Sequence, residues 1–315
     1  MRRDNMQAIE KKAAGSARQK EIWQDRLFNA VVMVLVILLL GATLYPLYLV
    51  VICSVSDAAL VTSGQVTLYP KGLTLLGYKS VFQNQEIWRS YLNSIVYTLS
   101  GTVFSLVVTM GAAFALSRNF PFKRLISFLF AFTMFFNGGM IPTFMTVRDI
   151  GLYNKAWICI LMGCVSVWNI MLARTYIKTT IPDALYEAAN LDGASQIQYF
   201  LQIVLPLSGT IIGVLAVYYG VAKWNDYWTG LVYINKRELL PLQTILKETL
   251  ASLQSSRELL MSMVSDSADS DAELLNRAQI AKYCIIVVST VPAVVLYLCM
   301  QKFFVKGVMI GSIKG

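Results

Sequence analysis

The sequence predicts an all-α, polytopic membrane protein with six transmembrane helices and both termini in the cytoplasm. Three observations lead to this fold class: an apolar composition, six long apolar runs, and basic residues that gather on one side of those runs. Of the 315 residues, 56% are hydrophobic and 14% are charged, whereas a soluble domain carries about 25% charged residues. Such a chain has too few polar side chains to cover itself in water, which indicates an integral membrane protein.

Each apolar run is close to the length that a membrane-spanning helix needs, about 20 residues at a rise of 1.5 Å per residue. None of the runs contains Asp, Glu, Lys or Arg. Because lipid offers no partner to a backbone amide, each run is expected to be helical. The runs lie at 28–52, 92–116, 125–147, 156–173, 203–222 and 283–301.

The basic residues set the predicted orientation. They are concentrated in the N-terminal segment 1–26, in the loops 117–124 and 174–202, and in the tail 301–315. Cytoplasmic loops carry an excess of Lys and Arg, so these segments and both termini are placed in the cytoplasm.

This topology divides the chain into a cytoplasmic segment 1–26, a transmembrane permease domain 27–304 and a cytoplasmic tail 305–315. Two long loops then lie outside, at 53–91 and 223–282. Within the second, 240–260 shows helical spacing of apolar residues. Loops of this size meet a partner or form a lid, or they only cap the helix bundle, and both interpretations stay open.

Several kinds of chemistry are excluded by what the chain lacks. It has no histidine and no Gly-Lys dipeptide, so it has no phosphate-binding P-loop. No ionisable residue lies within a predicted span, although such residues normally mark proton and ion pathways. No catalytic residue and no metal site is therefore expected, and the five cysteines are interpreted as small packing residues. What remains is a protein that moves or binds a neutral compound and is driven from elsewhere.

The loop 178–202 between the fourth and fifth spans contains the most informative pattern. Pro182 suits the first position of a helix, and Asp192–Gly193 is expected to end that helix because glycine adopts the left-handed conformation readily. Ser195 with Gln198 three residues later forms a capping-box pattern, which starts a second helix. The sequence thus predicts a helix, a sharp turn and another helix at the cytoplasmic face.

Small residues leave this turn bare, so that the backbone of another protein could approach it. Glu187 is the charge that could fix the register with a basic partner. The alternative is a helix that lies flat on the lipid surface, but such helices usually carry Lys or Arg on their polar face and 182–202 has none.

The same segment resembles the signature of the membrane subunits of binding-protein-dependent ABC importers. Glu187-Ala188-Ala189, Gly193 and Ile203-Val204-Leu205-Pro206 match the pattern E-A-A-x3-G-x9-I-x-L-P at every defining position. The segments Asn137–Pro142 and Lys306–Gly311 resemble the carbohydrate-uptake branch of that family, the oligosaccharide permeases similar to the second membrane subunit of the maltose transporter.

The resemblance implies a non-enzymatic permease subunit in a bacterial cytoplasmic membrane that imports carbohydrate, oligosaccharide rather than monosaccharide. It implies a coupling helix that sits in a groove of a separate, dimeric ABC ATPase, which holds the ATP and Mg while this chain binds no cofactor. The other implied partners are a second homologous permease subunit in a heterodimer, an extracellular or periplasmic solute-binding protein and the lipid bilayer, but no nucleic acid. The implied coupling residues are Glu187, Ala188, Ala189, Asp192, Gly193 and Ala194. The tail Lys306–Gly315 either reaches the ATPase or ends near the lipid headgroups.

A sugar pathway requires polar, uncharged and aromatic side chains. For Trp224, Tyr227 and Trp228 an anchor at the membrane interface is the favoured alternative. Asn137-Gly138-Gly139 also indicates a break in the third span, which membrane proteins tolerate where the backbone lines a cavity or is buried in protein. The candidate substrate-pathway residues are Asn137, Tyr218, Tyr219, Trp224 and Asn225.

Two other functions compete with the permease subunit. An ion-coupled or facilitative secondary carrier for a neutral solute would transport without a partner, and a membrane-embedded enzyme would turn over its substrate alone.

Overall fold

The computed structural model describes residues 2–136, 138–262, 279–295 and 297–298, and within these ranges it contains helices and no β-strand. The chain divides into two units, 1–74 and 75–315. The first unit contains α1 (Arg2–Ser54) and α2 (Ala58–Thr62). The described part of the second unit contains one 3-10 turn (Arg237–Leu239) and the helices α3 (Leu76–Gln83), α4 (Gln85–Ser117), α5 (Lys123–Phe135), α6 (Met140–Asp149), α7 (Ala156–Leu161), α8 (Val167–Thr180), α9 (Asp183–Leu191), α10 (Gln196–Leu207), α11 (Gly209–Trp224), α12 (Trp228–Tyr233), α13 (Leu242–Ser262) and α14 (Gln279–Val295).

The first unit is one long helix followed by an ordered loop. The loop folds back on the end of α1, where the hydroxyl of Tyr48 donates to the carbonyl of Leu68 at 2.5 Å. Asp57 caps α2 by accepting from the amide of Ala59 at 3.0 Å. The predicted outer loop 53–91 therefore starts with short, capped secondary structure.

Helix α4 is the central element of the second unit and packs against α7, α8, α11 and α13. Its buried face is lined by small residues, among them Ser94, Gly101 and Ser105. Small residues allow helix backbones to approach closely in membrane proteins. One buried bond joins α4 to α11 directly, since the hydroxyls of Thr109 and Tyr219 lie 2.7 Å apart.

The structure interrupts three of the predicted spans. In the third, α5 and α6 meet at an angle of 114°, beside Gly139 with a φ of +85°. The break expected in this span is therefore present, although Asn137 itself lies outside the described residues. By length and apolar composition, two described helical stretches (Asp25–Ser54 and Gln85–Ser117) are long enough to cross a membrane, or four if each bent pair forms one span. The number of six spans stays a prediction.

The fourth span was expected to be continuous over 156–173, and this expectation is wrong. Helix α7 ends at Leu161 and α8 begins at Val167. Gly163 has a φ of +71°, a conformation that glycine adopts without steric cost. The hydroxyl of Ser166 then caps α8 by accepting from the amide of Asn169 at 3.4 Å.

Lys223 provides hydrogen bonds that the break in the fourth span requires. Its ammonium group donates to the carbonyls of Cys159 at 3.1 Å, of Ile160 at 2.8 Å and of Met162. The last carbonyls of a helix lack intrahelical partners, and a cation near a helix C-terminus is favourable. Because α11 continues to Trp224, this lysine lies inside a helix whose apolar run was predicted to stop at 222.

The fifth span bends by 80° between α10 and α11, close to Pro206. Within α10, the turn Phe200–Val204 widens to π-helical geometry. A proline lacks the amide that would bond four residues back, and its ring crowds the carbonyl there, which is a common cause of such widening and bending. The predicted helix in the second outer loop is α13, which begins at Leu242.

Candidate functional site

The helix–turn–helix predicted in the loop 178–202 is present as α9, a tight turn and α10. Helix α9 begins at Asp183, one residue later than the sequence predicted, and Pro182 is its N-cap and not its first helical residue. The end of α9 is a Schellman motif, in which the amide of Gly193 donates to Asn190 and that of Ala194 donates to Ala189 at 2.9 Å. Gly193 has a φ of +75°, which a β-carbon would strain.

The turn is locked from its other side by the predicted capping box. The amide of Ser195 donates to the side-chain oxygen of Gln198 at 2.7 Å, and the amide of Gln198 donates to the hydroxyl of Ser195 at 3.3 Å. The side-chain amide of Gln196 also donates to the hydroxyl of Tyr186 at 2.7 Å, which ties α10 to α9. The loop is therefore a rigid unit and not a flexible connection.

One face of helix α9 packs against the rest of the protein, and the opposite face is exposed. Ala189 is buried in a hydrophobic core that includes Ile177 and Ile181. On the other face Glu187 is exposed, and the side chain of Leu191 is 89% exposed. Leu191 lies four residues after Glu187, so the two side chains are neighbours on this exposed face.

The predicted coupling residues divide between these two faces. Ala189 is buried, Ala194 is half-buried against the same core, and the remaining members of the set are exposed. The exposed members are Glu187, Ala188, Asp192 and Gly193.

Basic side chains surround the end of α4 next to this loop. Arg174 donates to the carbonyl of Leu116 at 3.0 Å, and Lys123 donates to that of Ser117 at 3.4 Å. Both bonds satisfy carbonyls that the helix end leaves without partners. Burial, together with the positive charges of Lys178 and Arg174, lowers the pKa of Lys123.

A cleft of about 780 Å³ opens between α4, α8 and α9. Its wall combines aromatic rings with charged groups of both signs, which are Arg118, Lys178, Asp183 and Glu187. Such a cleft can receive a polar side chain or loop of a neighbouring protein, with α9 as one of its edges.

The described candidate substrate-pathway residues lie in and directly after the last turns of α11, but they differ in burial. Tyr219 and Trp224 are buried, and the indole of Trp224 donates to the carbonyl of Ser289 at 3.0 Å. Tyr218 is on the opposite, exposed side of α11, and Asn225 caps the end of that helix. Their role in the pathway stays a prediction. Burial of Trp224 argues against the membrane-anchor alternative for this residue, whereas Tyr227 and Trp228 remain exposed.

Two residues of the site were not found by sequence analysis. Arg118 was interpreted only as one of the topogenic charges, and Lys223 was placed just outside a span. Both follow the predicted end of an apolar run, Lys223 by one position and Arg118 by two. The predicted tail Lys306–Gly315 lies outside the described residues.

Comparison with known proteins assigns the chain to a family. Residues 105–310 match the family described as the inner membrane component of binding-protein-dependent transport systems. The polygalacturonan/rhamnogalacturonan transport system permease protein YtcP of Bacillus subtilis is 31% identical over 93% of this chain and 100% of its own length. Protein LplC of Bacillus subtilis is 33% identical over 87% of this chain and 90% of its own length.

A more distant relative and a solved structure agree with this assignment. The sn-glycerol-3-phosphate transport system permease protein UgpE of Escherichia coli is 27% identical over 87% of this chain and 94% of its own length. A crystal structure of a bacterial ABC transporter involved in the import of the acidic polysaccharide alginate contains a chain with 33% identity and a TM-score of 0.78, over 89% of this chain and 98% of that chain.

These matches confirm the predicted resemblance, and they place the chain among transport permeases and not among enzymes. The chain belongs to the family of inner membrane components of binding-protein-dependent transport systems.

Proposed function

We propose that this chain is the membrane-spanning permease subunit of an ATP-driven ABC importer for carbohydrate, with oligosaccharide as the cargo, and that it forms half of the translocation pathway. The names of YtcP and of the alginate transporter support a saccharide cargo. The predicted neutral sugar and an acidic oligosaccharide both belong in the test panel, because the solved relative imports an acidic polysaccharide.

The observation that carries the proposal is the rigid, two-faced geometry of α9. Its inner face packs on the bundle through Ala189, and its outer face presents Glu187 and Leu191 to a partner. Since the Schellman turn and the capping box hold α9 in place, a force on the outer face moves the underlying helices with it. This is the mechanical requirement for a coupling helix seated in a groove of a separate ATPase.

The same proposal includes the topology. With α9 at the cytoplasmic face, the basic cluster around Lys123, Arg174 and Lys178 lies on the cytoplasmic side, in agreement with the positive-inside rule. Six spans in a bacterial cytoplasmic membrane then leave both termini inside.

The proposed assembly consists of this chain, a second and different permease subunit, a dimeric ABC ATPase that holds ATP and Mg, and an external solute-binding protein. The chain itself binds no cofactor. Within the pathway, Tyr218, Tyr219, Trp224, Asn225 and Asn137 are the residues assigned to sugar contact.

The deciding experiment is purification of the tagged chain from its native membrane, followed by mass spectrometry of the proteins that remain bound. An ABC ATPase and a second permease are expected, and in liposomes the complex should transport saccharide only with ATP and the binding protein. Glu187→Ala is expected to uncouple hydrolysis from uptake, with the distant, exposed Glu238→Ala as the matched control.

Transport by the purified chain alone along an ion gradient would instead establish the secondary carrier. Turnover of a substrate by the chain alone would establish the enzyme.

A further inference from the structure

We propose that Arg118 is the positioning residue that joins the coupling helix α9 to the end of α4 and passes the movement of α9 into the helix bundle. This inference rests on the proposed function, because it takes α9 as the contact with the ATPase.

The guanidinium group of Arg118 is enclosed by three aromatic rings. Its central carbon lies 3.8 Å from the ring centre of Tyr186, 4.7 Å from that of Tyr199 and 5.3 Å from that of Phe114. All three distances fall within the range of about 6 Å at which a cation is attracted to the face of a ring. The rings come from three helices, α9, α10 and α4, so one side chain contacts all of them.

The rings also hold one another in place. Tyr186 and Tyr199 pack edge to face with 5.3 Å between their centres, and the centres of Phe114 and Tyr199 lie 6.1 Å apart. The hydroxyl of Tyr186 accepts the bond from Gln196. The rings of the cage therefore contact one another as well as the cation, which links the positions of α4, α9 and α10.

Arg118 differs from the other basic residues at this end of the bundle. Arg174 and Lys123 donate hydrogen bonds to carbonyls at the end of α4. The Nε of Arg118, in contrast, is buried and makes no hydrogen bond. The closest contacts of its guanidinium group with α9 and α10 are therefore those with the rings of Tyr186 and Tyr199. Arginine suits such a site because its planar cation stacks on aromatic faces, which an ammonium group does less well.

Arg118 is the C-cap residue of α4, so its contact with the rings connects α9 directly to the end of α4. Helix α4 packs against α7, α8 and α11, which are the helices around the break in the fourth span. If α4 moves with α9, the three helices that pack against α4 are displaced as well. Without Arg118, α9 keeps its outer face and its turn but loses this direct contact with α4.

The test uses the complete transporter, reconstituted with its ATPase and binding protein, and measures solute moved per ATP hydrolysed. Arg118→Met is expected to assemble and to hydrolyse ATP while moving about tenfold less solute per ATP, within the range of ordinary allosteric couplings. Arg118→Lys, which keeps the cation, should recover part of the loss. Arg124→Met removes an exposed charge from the same loop region and should behave like the wild type.

Tyr186 provides an independent test from the other side of the contact. Tyr186→Phe keeps the ring but loses the bond from Gln196, so it should lower the coupling ratio less than Tyr186→Leu, which removes the ring that lies 3.8 Å from the cation. Both changes remove the contact between Arg118 and Tyr186, so the double variant Arg118→Met/Tyr186→Leu should lose less than the sum of the two single losses.

The inference is overturned if Arg118→Met keeps the wild-type ratio, if it prevents assembly, or if transport falls only in proportion to hydrolysis. Fully additive losses in the double variant would overturn it as well. A wild-type chain that purifies without any ATPase would refute the proposed function instead, so the two failures are distinguishable.

Discussion

Replacement of Lys223 by methionine tests whether this lysine stabilises the broken fourth span. Methionine has a similar length and no donor, so Lys223→Met removes the bonds to the carbonyls of Cys159, Ile160 and Met162. The space beside the chain is tight, because a β-carbon on Gly101 would lie 3.0 Å from the Cε of Lys223. A shape-conserving variant is therefore required to separate lost bonds from altered packing.

The expected loss follows from the number of bonds. A hydrogen bond to a charged group contributes about 1.5–3 kcal/mol, so three contribute about 5–9 kcal/mol. Removal of the ammonium from water costs several kcal/mol, which reduces the net loss to about 3 kcal/mol. At about 2.1 cal/mol/K of unfolding entropy per residue, that corresponds for a chain of 315 residues to a fall in the apparent Tm of about 4–5 °C.

The assay is thermal unfolding of the detergent-solubilised chain, followed by the fraction that remains monodisperse after heating. Lys236→Met is the control, because this lysine is exposed in the segment that follows α12 and its loss should leave the Tm unchanged within about 1 °C. If Lys223→Met has the same Tm as the control, the carbonyls at the break find other hydrogen-bond donors, and the assigned role of Lys223 is incorrect.

Three further predictions concern single contacts and use the same thermal assay. Tyr219→Phe should cost about 1 kcal/mol, because it leaves the buried hydroxyl of Thr109 without its 2.7 Å partner; a loss no smaller in a Thr109→Val background would contradict this. Gly193→Ala should cost about 1–2 kcal/mol from its φ of +75° alone, since the space around it is open, and an unchanged Tm would show that the turn relaxes. Glu86→Gln breaks the exposed 2.6 Å ion pair with Arg237 and should cost less than about 1 kcal/mol; a larger cost that persists in high salt would refute the assignment to a surface pair.

The helix–turn–helix at the candidate site could be predicted because the interactions that form it join residues close together in the sequence. A left-handed residue at Gly193 and the capping box of Ser195 and Gln198 act within a few residues of chain, so their spacing is sufficient. The break after Phe135 was predictable for the same reason, from two adjacent glycines. Membership of the family followed from a motif that is contiguous in the sequence.

The contacts of Arg118 and Lys223 could not be predicted in this way. Arg118 meets Tyr186 and Tyr199 across 68 to 81 positions of chain, and Lys223 reaches carbonyls 61 to 64 positions away. Nothing in the local pattern distinguishes these side chains from basic residues that only mark the cytoplasmic side or the end of a span.

The amino-acid sequence by itself determined the membrane class, the helical nature of the chain and the shape of the coupling loop. Each of these depends on composition or on interactions between near neighbours. Only the tertiary structure decided that the fourth span is broken, that Lys223 satisfies its open carbonyls, and that Arg118 ties α9 to α4. Those outcomes depend on which distant helices meet and on the requirement that buried polar groups find partners, which a one-dimensional pattern does not contain.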